Sequence, residues 1–147
     1  LNPGHSKKNI MSTELSRPLH NEMAEVILFL KEARVFLEGQ GVTGDALYAA
    51  RLTLEELLTN VLKYALPQNQ RTSFDVRIAV SDKEVEVFVR DAGPAFDPHQ
   101  AKRPDMDCRT EDVQPGGLGL HMIRTMAALV DYKREQDHNL TRVVIRR

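Results

Sequence analysis

A chain of 147 residues has the length of one ordinary domain. With 41% hydrophobic and 28% charged residues, global disorder is excluded. A balance of 20 Lys and Arg against 21 Asp and Glu excludes nucleic-acid binding through bulk positive charge.

No apolar run approaches the ~18 residues that span a membrane, and the opening has no signal-peptide pattern. The single cysteine, Cys108, has no partner for a disulfide or a Cys-based zinc site, and the five histidines show no metal-ligand spacing. A cytoplasmic protein is expected. Residues 1–11, polar and carrying Pro3 and Gly4, are expected to be a flexible N-terminal tail or an expression remnant, with one domain over 12–147.

The first helical signal follows Pro18. Met23, Val26, Ile27, Leu30, Ala33 and Leu37 recur at helical spacing, and Gly39 and Gly41 stop the helix. A second helix is predicted over 45–65 with Thr43 or Asp45 as N-cap, its apolar set being Leu47, Ala50, Leu54, Leu57, Leu58, Val61, Leu62 and Ala65. The period then becomes two. Phe74, Val76, Ile78 and Val80, a turn at 81–83, and Val85, Val87 and Val89 predict a β-hairpin with one buried face. A loop over 92–115 holds four of the seven prolines, and the glycine-rich stretch 116–119 opens a third helix reaching about residue 128. Strands near 130–135 and 140–147 close the chain around a turn at 137–139. This order predicts an α+β fold, a two-layer sandwich with helices on one face of a mainly antiparallel sheet. Doubly wound folds need a regular strand–helix alternation that is missing.

Three segments carry chemistry. Glu56 and Asn60 lie one helical turn apart, about 40° apart in projection, on the face opposite the apolar stripe. A carboxylate and an amide oxygen held together position a hydroxyl and ligate a hard cation. Asp91 ends a strand two residues before Gly93, an arrangement that accepts a base amino group while glycine lets a ligand approach. Gly116, Gly117 and Gly119 crowd the start of an apolar helix, where bare N–H groups suit phosphates. Each also has a local explanation: a wet helix face, a strand-ending turn, a helix-entry hinge. Neither a P-loop nor a dinucleotide fingerprint is present.

Taken together and in order, the three segments resemble the GHKL ATPase superfamily (gyrase, Hsp90, histidine kinase, MutL) with its Bergerat ATP-binding fold, here a mixed sheet. More closely they are similar to the stand-alone anti-sigma-factor serine kinases of the RsbW type. The resemblance covers 12–147. It implies that Asn60 coordinates Mg2+ between the phosphates of ATP and that Glu56 is the general base for a substrate serine. It implies that Asp91 takes the adenine amino group with Gly93 letting the base sit close, and that Thr141 lies near the base. Gly116, Gly117, Leu118, Gly119 and Leu120 would line the phosphates, with a helix starting near Leu120, and the loop from about residue 95 to 115 would be the ATP lid. Where relatives carry a His after the Asn, this chain has Tyr64, expected to pack near the sheet without a catalytic role. Ala95 stands in place of a common glycine. His20 is expected to be a helix-entry or surface histidine rather than a phosphorylated one. The implied activity is a serine/threonine protein kinase and anti-sigma factor. Its implied partners are a sigma factor and a STAS-type antagonist, with no direct nucleic acid and no membrane, in a homodimer touching through the first helix and first strand. An ATP-binding regulatory module without kinase activity, and the ATPase part of a larger gyrase-, MutL- or phosphorelay-type protein, stay open.

Overall fold

The structure, a computed structural model, describes residues 12–67, 69–97 and 117–147. In chain order these form β1 (Thr13–His20), α1 (Met23–Gly39), α2 (Gly44–Asn60), a π-helical turn (Val61–Ala65), β2 (Ser73–Val80), β3 (Glu84–Asp91), α3 (Gly117–Met126), β4 (Leu129–Glu135) and β5 (His138–Arg146). The strands form one sheet in the order β1-β2-β3-β5-β4. Every pairing is antiparallel, so the sheet is not mixed among the described residues. Residues 1–11 and most of the expected lid, with Cys108 and Gly116, lie outside the description.

Strand β1 is the element that periodicity missed. Its helix-facing row is Leu15, Arg17 and Leu19, opposite Ile78, Val76 and Phe74. The central member is a cation whose guanidinium pairs with Glu32 on α1, so the apolar alternation is broken. β1 is also an edge strand, where Pro18 is tolerated.

α1 ends as its glycines predict. Gly41 sits at φ +77°, its N–H donates to the Glu38 carbonyl at 3.0 Å, and Val42 N–H donates to the Leu37 carbonyl at 3.0 Å. That paired closure is a Schellman motif, sealed by the buried Leu37 and Val42. Thr43 takes the N-cap of α2 without a side-chain cap bond. His20 begins the entry to α1, with Nδ1 3.1 Å from Glu25, and this bond holds the Glu25 carboxyl below its ordinary range.

The sheet's helix-facing rows are Phe74, Val76, Ile78 and Val80 on β2, Val85, Val87 and Val89 on β3, and Val143 and Ile145 on β5, all buried. They pack under Val26, Phe29, Ala33 and Leu37 of α1, Ala50, Leu54, Leu57 and Leu58 of α2, and Leu120 and Ile123 of α3. The two central rows change character at one end. On β3 the row continues into Asp91, and on β5 it runs back through Thr141 to Asn139, all three buried. The register sets Asp91 opposite Asn139 and Val89 opposite Thr141. Asn139 thus belongs to β5 and not to the turn, which consists of Gln136 and Asp137, both at positive φ.

Candidate functional site

A cavity of about 120 Å³ opens at this polar end of the core. Asn60, Asp91, Asn139 and Thr141 supply its polar groups, while Leu57, Val61, Tyr64, Val89, Phe96 and Leu120 are among its apolar walls. Four of the residues singled out by sequence (Asn60, Asp91, Leu120 and Thr141) therefore meet around one space.

The α2 side of the cavity is a helical stripe: Leu57, Asn60, Val61, Tyr64 and Ala65. This corrects the expectation that Glu56 and Asn60 occupy a wet face opposite the apolar one. Both are half-buried, because α2 is covered by the sheet and also by α3. The helix widens after Asn60 into the π turn, where Leu66 N–H donates to the Val61 carbonyl at 3.1 Å. That turn presents Tyr64 to the cavity rather than to the sheet, with 45% of its surface exposed.

Asp91 is held by its own loop. Its Oδ1 accepts from the Gly93 N–H at 2.9 Å and from Asn139 Nδ2 at 3.0 Å. The room left by the missing side chain of Gly93 is taken by the chain itself. A Cβ there would run into the carbonyl and Cα of Ala65 in the π turn. The missing side chain locks the Asp91 loop onto the end of α2.

Glu56 stands beside the cavity. Its carboxylate lies against Gly119 in the first turn of α3, so closely that a Cβ on Gly119 would collide with it. Burial raises the Glu56 pKa above its ordinary value of 4.5, the Glu55 charge adds to the rise, and Lys63 opposes it. α3 begins at Gly117, three residues earlier than the resemblance implied. Gly117 and Leu118 lie in that first turn, the side chain of Leu118 is outside the description, and Leu120 is a buried core residue that also touches the cavity.

Sequence reasoning missed Asn139, which is 2% exposed and the most connected polar side chain at the site. Besides Asp91 it donates to the Pro94 carbonyl at 2.8 Å, and it accepts from Tyr132 Oη at 2.6 Å and Phe96 N–H at 3.3 Å. Arg134 adds a bond to the Gly93 carbonyl at 2.6 Å. Counting back by twos from Ile145 and Val143 reaches Thr141 and then Asn139, so the signal was present in the strand period.

The sequence profile of the histidine kinase-like ATPase domain matches residues 19–145. Among curated proteins, the chain is 28% identical over 92 residues to the serine/threonine-protein kinase BtrW of Bordetella bronchiseptica, covering 63% of this chain and 65% of that one. It is 25% identical over 100 residues to the serine-protein kinase RsbW of Staphylococcus aureus, covering 65% and 63%. The match thus spans just under two thirds of these relatives' length.

Proposed function

The chain belongs to the histidine kinase-like ATPase family of the GHKL superfamily, and from that premise we propose that it is an ATP- and Mg2+-dependent serine/threonine protein kinase acting as an anti-sigma factor. In this reading it phosphorylates a serine of a small STAS-type antagonist and, in the alternative state, holds a sigma factor. The relatives' names support the kinase reading. The observation that carries it is the convergence of Asn60, Asp91 and Thr141 on one cavity, with the Glu56 carboxylate one helical turn away against α3.

In this proposal the adenine ring enters between the apolar walls, and Asp91 accepts its amino group beside Thr141. The phosphates run toward the N-terminal end of α3, where the N–H groups from Gly117 onward are free of helical partners. The Asn60 amide oxygen is a hard ligand for Mg2+, and no trio of His, Cys, Asp or Glu side chains among the described residues forms a cage for it. That donor set suits an ion that keeps waters and phosphate oxygens as its other ligands. The ion supplies charge neutralisation on the phosphates. Glu56 takes the proton of the attacking serine hydroxyl; the serine oxygen bonds to the γ-phosphorus as the bond to ADP breaks. A raised pKa makes Glu56 a stronger base once ionised.

The protein works in the cytoplasm as a homodimer in this reading. No described helix is long and apolar enough to cross a membrane. The test is transfer of labelled phosphate from ATP to a STAS-type antagonist by wild type and Glu56→Ala. Wild type is expected to transfer and the variant to slow by about 100-fold or more with ATP still bound. Equal transfer by the two would remove Glu56 from the mechanism, and tight ATP binding with no transfer would leave a regulatory binding module.

A further inference from the structure

Building on the adenine reading of the cavity, we infer that Asn139 is a positioning residue that confers base selectivity by fixing which oxygen of Asp91 faces the nucleotide. The orientation of the Asn139 amide is not free. Its Oδ1 faces two donors, Tyr132 Oη at 2.6 Å and Phe96 N–H at 3.3 Å. Its Nδ2 faces three acceptors, the Pro94 carbonyl at 2.8 Å, Asp91 Oδ1 at 3.0 Å and the Gly93 carbonyl at 3.4 Å. A flipped amide would set its oxygen against a carboxylate and two carbonyls, and its NH2 against the Phe96 N–H.

With the amide fixed, Asp91 is fixed as well. Oδ1 receives both Asn139 Nδ2 and the Gly93 N–H. Among the described residues no donor reaches Oδ2, which is left for the cavity that Asp91 lines. A carboxylate χ2 has broad, two-fold freedom when nothing holds it. Here one neighbour comes from the loop after β3 and the other from β5, and the register sets Asn139 directly opposite Asp91. The remaining oxygen accepts an amino group from the base edge and repels a carbonyl there. Adenine offers the first and guanine the second.

The same side chain ties the chain that follows. Pro94 and Phe96, both bonded to Asn139, line the cavity. Tyr132 comes from β4, so the β4–β5 hairpin grips the segment leading out of the site.

The experiment measures ATP and GTP affinity by calorimetry for the wild-type chain, Asn139→Ala and Tyr132→Phe. Wild type prefers ATP. Asn139→Ala is expected to lose about tenfold more affinity for ATP than for GTP, whose smaller loss comes from the loosened Pro94–Phe96 wall. Tyr132→Phe removes only one of the two donors that orient the amide, the shorter one, and is expected to lose about threefold for ATP alone. It carries the test even if Asn139→Ala does not fold. A residue with a merely structural role would lower both affinities together. An unchanged ATP-to-GTP ratio in both variants, or equal losses for the two nucleotides, overturns the assignment. A wild-type chain that binds neither nucleotide overturns the adenine reading itself, and this inference with it.

Discussion

Glu56 combines two demands that oppose each other. In the proposed kinase it serves, ionised, as the base; half-buried beside Glu55, it resists ionisation. Its folded pKa lies above the ordinary 4.5, so the folded state holds the proton more tightly than the unfolded chain does. The resulting stability is complete below the ordinary carboxylate range and is lost as pH rises through the elevated value. At neutral pH the charged side chain therefore works against folding. Glu56→Gln is expected to unfold at a higher temperature than wild type at pH 7.5, with the difference vanishing near pH 4. A carboxyl NMR titration checks the same point directly. The Glu56 midpoint should lie above 4.5, move further up in Lys63→Met and move down in Glu55→Gln. A midpoint at or below 4.5, unmoved by either neighbour, would remove the electrostatic argument.

At the scale of elements, the junction between the π turn and the Asp91 loop leaves no room for a methyl group. Gly93→Ala would drive a methyl group into the Ala65 backbone and is expected to cost on the order of 2 kcal/mol or more, read from denaturant midpoints. Adding Ala65→Gly should not restore stability, since the carbonyl and Cα of residue 65 remain in the way. Full rescue would show that the contact is a side-chain clash only. The Asp-x-Gly pattern was legible in sequence, but its reason was not, because Ala65 is distant in the chain and only the widened turn carries it to Gly93. The helices and the two hairpins were legible for the opposite reason. Their apolar periods are local, and the Schellman closure at Gly41 follows from one residue that tolerates φ +77°. β1 was hidden by Arg17, whose partner Glu32 belongs to another element. Asn139 was hidden by its neighbours Asp137 and His138, which read as turn residues although only Gln136 and Asp137 make the turn. The candidate site was legible as three motifs, while the clamp that holds Asp91 depends on cross-strand register, which the motifs do not encode.

Over the whole molecule, the outer surfaces differ in what they ask of a partner. The solvent face of the sheet satisfies itself: Arg142 bonds Glu86 at 2.7 Å, Arg77 lies near Glu14 and Glu86, and Arg90 near Asp75. Ion pairs already made across strands leave little for a second chain. The outer side of α1 instead carries exposed apolar side chains among its charges, Leu28 at 66% and Val35 at 71% exposure flanking Lys31 and Glu32, with Ile27 and Met23 also exposed. Leu28 and Val35 are two helical turns apart, so they project along one line. β1 runs beside α1 as a sheet edge, with the Arg17–Glu32 pair joining the two. Tyr64 and Phe96 are exposed as well, but they line the cavity. The proposed homodimer therefore draws on the α1 face. Leu28→Glu with Val35→Glu should convert the protein to a monomer in sedimentation velocity. Because both side chains already face water, folding stability should shift by no more than about 0.5 kcal/mol per site. ATP affinity should also persist, since neither residue touches the cavity. A double variant that sediments as a dimer would move the contact away from α1, and a monomeric wild type would remove the dimer altogether.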